Sequence, residues 1–245
     1  PSYSPENHYQ MDGKEYTLAL SNTCDILLIR EILTIARKAA EILKKDGILA
    51  SVPGTASEEE LKERLNGLPP YQISESGRIQ EWFYDFEEPD VSHRHTSHLL
   101  GLYPFRQITV EKTPELAAAA EKSIQVRYAA YEMTSWGMAM YLGYEARLKH
   151  QKACREGIRT VFRELVKPNL VSVMGDESAM WQGTWELDGN TGITAAMTEL
   201  MIQCDGDEVW VLPALPEEWA SGKLTGISLH HARTADLYWE NCELT

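Results

Sequence analysis

The sequence lacks several features that would place it in a familiar class at once. No window approaches the ~18 consecutive apolar residues of a membrane-spanning helix, so no membrane partner is expected. The four cysteines lie far apart without a C-x-x-C pair, which gives neither a zinc or redox motif nor a disulfide scaffold. Basic residues are also scarce, with 23 Lys and Arg against 37 Asp and Glu. The resulting net charge of −14 argues against nucleic acid as a partner and leaves neutral substrates open.

The start of the sequence also lacks expected features. It begins at Pro1, with neither a methionine nor a signal-peptide pattern, so we expect a piece of a longer polypeptide. The composition leaves a cytoplasmic and a secreted location equally open. Its 245 residues suffice for one large domain or two small ones.

The hydrophobic periodicity predicts a mainly helical chain. Apolar residues recur at helical spacing and capping signals mark helix starts, which predicts helices over 26–43, from Ser57, over 113–130, 135–148 and 151–166, and from near Thr191. Ser57 and Glu60 form a capping box, and Thr113 precedes a proline at the first helical position. Short strand-like runs begin at about residue 207. We therefore predict a helical region over 1–206 and a β-rich region over 207–245.

The stretch RIQEWFYDFEEPDVSHRHTSH, residues 78–98, mixes residue types that a structural core does not need. Glu81 is followed by four aromatic residues within five positions, and an apolar environment raises the pKa of a carboxyl group. A glutamic acid that stays protonated in this way can act as a general acid. The alternative is an exposed Glu81 beside aromatic residues of the core.

Three histidines and an arginine follow in the same stretch. His93, His95 and His98 have a spacing that could reach a metal ion, but no fourth ligand is evident, and Arg94 between them is unfavourable beside a cation. Imidazole and guanidinium groups also bind hydroxyl groups, as a polyhydroxylated ligand would require. A role in anchoring the loop is the third reading. We expect no metal and no cofactor.

A second group of polar and aromatic residues is MWQGTWELDGNTG, residues 180–192. Asp188 lies just before the predicted helix at Thr191, whose N-terminus should keep the carboxyl group ionised. Asp-Gly-Asn is also a common turn, so a purely structural role is the alternative. The faces of Trp181 and Trp185 are suited to the C–H surfaces of sugars. One neutral and one ionised carboxyl group are the pair that glycoside hydrolysis uses.

Six stretches in order resemble the catalytic domain of glycoside hydrolase family 95, the inverting α-L-fucosidases and their α-L-galactosidase relatives. They are PSYSPEN (1–7), CDILLIREIL (24–33), GRIQEWFYDFEEPDVSHRHTSHLLGLYP (77–104), TSWGMAMYLGYEARL (134–148), LDGNTG (187–192) and LPALPEEW (212–219). The resemblance implies the C-terminal part of an (α/α)6 toroid followed by a small antiparallel β region.

The same resemblance implies roles for individual residues. Glu81, in the family's Gln-Glu-Trp motif, corresponds to the general acid, and Asp188, in its Asp-Gly-Asn motif, to the general base. The inverting mechanism places two such carboxyl groups roughly 6.5–9.5 Å apart. Residues that fall in pocket-lining segments are expected to bind substrate: Arg94, His95, Trp136, Gln182 and Trp185. The implied reaction is the hydrolysis of a terminal α-L-fucosyl or related L-sugar, with a fucosylated or related glycan as the partner.

The sequence also departs from the family pattern. Gln182 occupies the position of a histidine that touches the sugar, Glu186 that of a glutamine, and Met140 that of a tryptophan. The paired asparagines that orient the base are absent, since the sequence contains no Asn-x-Asn. The alternative function is therefore a catalytically incomplete carbohydrate-binding or remnant module. We expect exposed apolar surface to be covered by self-association or by the N-terminal portion of a longer polypeptide.

Overall fold

A computed structural model describes residues 1–47, 56–129, 134–174 and 183–245. The chain divides into two compact units, Pro1–Gly101 and Leu102–Thr245, and each is described by itself. Helices predominate and are accompanied by small antiparallel sheets, so the prediction of a mainly α chain is confirmed. The predicted boundary at residues 206 and 207 stays a prediction.

The first unit begins with four short strands that were not predicted. Strand β1 (Ser2–Tyr3) pairs with β4 (Leu18–Ala19), and β2 (Tyr9–Met11) pairs with β3 (Lys14–Tyr16), both antiparallel. Asp12 and Gly13 connect β2 to β3, and both have positive φ, as a tight Asp-Gly hairpin turn requires. Tyr9 packs between Trp82 and Phe86 in the small core of this unit.

The described part of this unit also contains two α-helices and a short 3-10 helix (Ser97–Leu99). Helix α1 (Thr23–Lys45) extends the predicted range by a few residues at each end, and it buries Leu27 completely. Helix α2 (Glu58–Asn66) begins with the predicted capping box, in which Ser57 and Glu60 bond each other's backbone amides. Because this motif is satisfied within four residues, local sequence is enough to predict it.

The described residues of the second unit form four α-helices and include most of the buried apolar side chains. They are α3 (Pro114–Tyr128), α4 (Ser135–Arg147), α5 (Gln151–Thr160), continued by a π-helical turn (Val161–Leu165), and α6 (Leu187–Met201). Helices α4 and α6 pack side by side, and the π-helical turn closes the same core. This core contains Met138, Ala139, Leu142, Val161, Leu165, Ile193 and Ala196.

One predicted helix start is confirmed and another is corrected. Helix α3 begins at Pro114, directly after Thr113, as predicted. The Thr113 hydroxyl does not cap α3, because it bonds the backbone of Thr109 instead. Helix α6 begins at Leu187 rather than near Thr191, so Asp188 lies in its first turn and not before it. Distant contacts of Glu186 and Asn190, described below, hold this segment helical where its local sequence favours a turn.

Strands follow α6 directly. Strand β5 (Ile202–Asp205) pairs with β6 (Glu208–Val211), so the first strand begins five residues earlier than predicted. A second antiparallel sheet contains β7 (Gly222–Leu229), β8 (Arg233–Glu240) and β9 (Glu243–Leu244). Buried side chains join the two sheets: Ile202, Leu215, Leu237 and Trp239. None of the helices in the described ranges is both long and apolar enough to cross a membrane.

Candidate active site

Glu81 is buried among polar groups of the first unit. Its side chain is only 3% exposed, and its carboxyl oxygens accept hydrogen bonds from Ser4 Oγ at 2.5 Å and Asn7 Nδ2 at 3.0 Å. His98 Nδ1 lies 3.4 Å from Glu81 Oε2, and His98 is equally buried. The alternative of an exposed Glu81 is therefore wrong. The predicted aromatic environment stays a prediction, and Trp82 and Phe86 pack against Tyr9.

Asn7 connects Glu81 to a second carboxylate. Its side-chain amide donates to Glu81 Oε2 and to Glu88 Oε1, both at 3.0 Å. Arg78 Nη1 pairs with Glu88 Oε2 at 2.9 Å, and Asn7 Oδ1 accepts from His8 N. Because both functions of the Asn7 amide are engaged, its orientation is fixed, and it can only donate towards Glu81.

These contacts limit where a proton can lie on a neutral Glu81. Oε2 faces the Asn7 amide donor, so the proton belongs on Oε1, next to Ser4. A serine hydroxyl can accept as well as donate, so Ser4 can hold either protonation state of Glu81.

Glu6, from the same segment as Ser4 and Asn7, contacts two predicted binding residues. Its Oε2 accepts from Arg94 Nη2 and lies 3.2 Å from His95 Nε2. Burial lowers the pKa of His95, the Glu6 carboxylate raises it, and the Arg94 guanidinium lowers it, with a net decrease. His95 is therefore mostly neutral near pH 7 and can accept or donate a hydrogen bond.

The described histidines do not form a metal site. His93 and His95 stack at 5.4 Å between ring centroids, and His98 contacts Glu81. No cluster of histidine, cysteine and acidic residues suited to a metal ion occurs within the described ranges.

Asp188 lies at the second position of α6 in the second unit and is exposed. The described hydrogen bond to its carboxyl group comes from Gly189 N at 3.0 Å, so most of its acceptor sites face solvent. An exposed carboxylate is accessible to water, as the general-base role implied by the family resemblance would require.

Glu186, two residues earlier, fastens α6 to α4. Its carboxylate accepts from Ser135 N at 2.7 Å, from Ser135 Oγ, and from Trp136 N at 3.3 Å. These amides belong to the first turn of α4, where backbone N–H groups have no partner within the helix. A buried carboxylate at this point therefore holds the N-termini of the two helices together.

The rest of the Asp-Gly-Asn motif is structural. Asn190 Oδ1 accepts from Ser172 N at 2.9 Å and Trp185 Nε1 at 3.1 Å, while its Nδ2 donates to Leu170 O. A Cβ atom added to Gly189 would lie 1.9 Å from Ser135 Oγ, so only glycine permits this approach of α6 to α4. Gly189 and Asn190 thus fix the backbone from which Asp188 projects.

Some of the predicted site residues lie in connected segments, and others lie outside the described residues. Trp136, half-buried, and Trp185, 57% exposed, belong to segments joined to the start of α6 through Glu186 and Asn190. Gln182 and Trp181 lie outside the described residues. Since Glu81 and Asp188 belong to different units, their predicted separation stays a prediction.

Sequence reasoning missed the segment that organises the first unit's site. Ser4, Glu6 and Asn7 together contact Glu81, Arg94 and His95. Their partners lie more than 70 positions away in the sequence, so no local spacing reveals them. Their presence in the PSYSPEN stretch was the one available signal.

Comparison with known proteins identifies the family. The profile described as the glycosyl hydrolase family 95 catalytic domain matches residues 1–201. The chain belongs to this family.

One relative is Alpha-L-fucosidase 2 of Arabidopsis thaliana, 33% identical over 249 aligned residues, which cover 98% of this chain and 28% of that protein. Probable alpha-fucosidase A of Aspergillus oryzae is 24% identical over 78% of the chain and 30% of its own length. The protein of the same name from Aspergillus niger is 23% identical over 71% of the chain and 23% of its own length. The chain thus spans less than a third of the length of these relatives.

Proposed function

We propose that this family 95 chain is part of a glycoside hydrolase of the α-L-fucosidase type, which removes a terminal α-L-fucosyl or related L-sugar with inversion. Glu81 is the general acid and Asp188 the general base. The proposal includes the fold that the family resemblance implies, the C-terminal part of an (α/α)6 toroid. The names of the three relatives support the fucosidase type.

The observation that carries the proposal is the environment of Glu81. A carboxyl group that is 3% exposed costs free energy unless hydrogen bonds compensate, and Ser4 and Asn7 supply them. A structural acid of this kind would ordinarily pair with a cation, as Glu88 does with Arg78. Glu81 instead accepts from two neutral donors and lies 3.4 Å from the imidazole of His98, surroundings that suit the proposed general acid.

Asp188 supports the proposal from the second unit. It is exposed and projects from a helix start that Glu186, Gly189 and Asn190 fix. Glu81 is buried and Asp188 is exposed. In glycoside hydrolysis, such a difference in environment decides which carboxyl group acts as the acid and which as the base. Arg94, His95, Trp136, Gln182 and Trp185 bind the sugar, with Gln182 changing a contact that family fucosidases make through histidine.

A second candidate is a carbohydrate-binding module without catalytic activity. It is favoured by the surroundings of Asp188, whose carboxyl group has no side-chain amide partner among the described residues. The Asp188 carboxylate is exposed and accepts one hydrogen bond from the described residues. A carboxylate held so loosely is consistent with a module that does not catalyse.

The stereochemistry of the first product tests the proposal. The chain is incubated with an aryl α-L-fucoside and, separately, an aryl α-L-galactoside, and the sugar's anomeric proton is followed by NMR from the first minutes. The β-anomer is expected to appear first and then to equilibrate. An initial α-anomer contradicts inversion, and saturable sugar binding without any hydrolysis favours the module.

A further inference from the structure

Glu88 is a second buried carboxylate close to the Glu81 carboxyl group. Its side chain is 6% exposed, against 3% for that of Glu81. One nitrogen atom joins the two groups, since Asn7 Nδ2 donates to Glu81 Oε2 and to Glu88 Oε1, each at 3.0 Å. The two acceptor oxygens are therefore at most about 6 Å apart. At this distance in a buried site, a negative charge on one carboxyl group disfavours a negative charge on the other.

The partners of Glu88 favour the charge on this residue. Arg78 Nη1 donates to Glu88 Oε2 at 2.9 Å, and a guanidinium in contact with a carboxyl group favours its ionised form. Ser76 Oγ accepts from Arg78 Nε at 3.0 Å, which holds the guanidinium in place. The hydrogen bonds described for the Glu81 carboxyl oxygens come from a hydroxyl and an amide instead, and both groups are neutral. This arrangement favours the charge on Glu88 and a proton on Glu81.

His98 and Cys24 are further titratable groups that face Glu81. His98 Nδ1 lies 3.4 Å from Glu81 Oε2. Burial raises the pKa of the Cys24 thiol to about 11, and the charges of Asp25 and then of Glu81 raise it as well. The thiol is therefore neutral near pH 7. A change at Glu88 leaves the contacts of both groups with Glu81 in place.

We propose that Glu88 is a positioning residue for the general acid, which carries the negative charge of the pair and thereby keeps the proton on Glu81. Asn7 transmits this effect, because its amide holds the two carboxyl groups at a fixed separation and donates to both. The role of this proton in catalysis rests on the proposed function, in which Glu81 gives it to the leaving group. Glu88 acts through Asn7 and determines the pH above which Glu81 no longer serves as an acid.

The ionisation of Glu81 tests this proposal directly. The whole chain is labelled with carbon-13 at the glutamate side-chain carboxyl groups, and the Glu81 signal is identified in NMR spectra by its absence in Glu81→Gln. Glu88→Gln keeps the size of the side chain and removes its charge, so the titration midpoint of Glu81 should move to lower pH by about one unit or more. Glu87→Gln is the matched control, because Glu87 is the adjacent acid and its side chain is exposed. This variant should leave the Glu81 midpoint unchanged.

The pH dependence of hydrolysis gives a second readout, which a merely structural role of Glu88 would not move. In Glu88→Gln, the alkaline limb of kcat/KM for an alkyl α-L-fucoside should move to lower pH by the same amount as the Glu81 midpoint. The rate on the acidic side of that limb should be kept. A loss of rate that is equal at every pH overturns the proposal.

Arg78→Gln covers the case in which Glu88→Gln fails to fold. Without its cation, the buried Glu88 should compete with Glu81 for the proton, so the titration of Glu81 should spread into two steps. An unchanged Glu81 titration in either variant overturns the proposal, and so does an equal shift in Glu88→Gln and Glu87→Gln.

The two measurements separate the role of Glu88 from the proposed function. The NMR titration needs no turnover, so it still decides the role of Glu88 if the chain hydrolyses no fucoside. Unchanged hydrolysis of alkyl fucosides in Glu81→Gln would refute the general acid and leave the titration result as it stands.

Discussion

Replacing Glu186 should show whether its carboxylate holds the N-termini of α4 and α6 together. Glu186→Ala removes the acceptor of Ser135 N, Ser135 Oγ and Trp136 N. A hydrogen bond to a charged group contributes about 1.5–3 kcal/mol, and part of the loss is recovered by water at the partly buried helix end. We therefore expect a loss of about 3 kcal/mol in the free energy of unfolding.

Glu186→Gln should lower the free energy of unfolding by only about 1 kcal/mol. The amide oxygen can still accept the hydrogen bonds, and only the charge at the helix N-terminus is lost. This substitution also restores the residue usual at this position in the family. In thermal unfolding followed by circular dichroism, about 3 kcal/mol corresponds to a decrease in Tm of roughly 6–12 °C for a chain of this size.

Glu115→Ala provides the matched control, since Glu115 is also an acid in the first turn of a helix but is exposed. Removing the Glu115 side chain should lower the free energy of unfolding by about 0.5 kcal/mol or less. A Glu186→Ala protein as stable as the control refutes the argument. A Glu186→Gln protein as unstable as Glu186→Ala would show that charge, and not an acceptor atom, joins the helices.

Three further predictions concern individual acids. Glu81→Gln should slow hydrolysis of alkyl fucosides far more than of activated aryl fucosides, because a good leaving group needs little proton donation; an equal loss of kcat/KM on both contradicts its role as the acid. Glu6→Gln should lower the pKa of His95 further, since the Glu6 carboxylate raises it, and NMR titration of the imidazole protons against His231 as internal reference measures this shift; an unchanged value refutes the contact. Burial raises the pKa of Glu145 above its ordinary value, although His150 opposes this. An acid whose pKa is raised in the folded state contributes stability at low pH. This contribution is lost as pH rises through the folded-state pKa. Glu145→Gln, which does not titrate, should therefore gain stability relative to wild type in urea unfolding as pH rises above the ordinary pKa of a glutamate; parallel profiles contradict the assignment.

The sequence predicted the features that are determined locally. The capping box at Ser57 and Glu60 is satisfied within four residues, and the apolar repeat of α1 is visible in any helical projection. The chain's mainly helical character follows from several such segments. These signals need no knowledge of distant residues.

The start of α6 could not be predicted because it depends on distant partners. Asp-Gly-Asn is a common turn, but Glu186 bonds residues about 50 positions away, and Asn190 bonds Ser172. The same holds for Glu81, whose partners Ser4 and Asn7 lie 77 and 74 positions earlier. The sequence around Glu81 shows its aromatic neighbours along the chain but not the distant polar side chains that bond its carboxyl group.

The turnover of Asp188→Asn tests the central claim most directly. The variant keeps the size of the side chain and can still accept from Gly189 N, so α6 should stay intact, which circular dichroism can verify. Asp207→Asn is the control, since Asp207 is an exposed acid whose side chain is 90% accessible. We expect Asp188→Asn to abolish hydrolysis of aryl and alkyl fucosides alike, because no other group deprotonates the attacking water, while Asp207→Asn keeps the wild-type rate. A folded Asp188→Asn protein with the wild-type rate would contradict the assignment of Asp188 as the base.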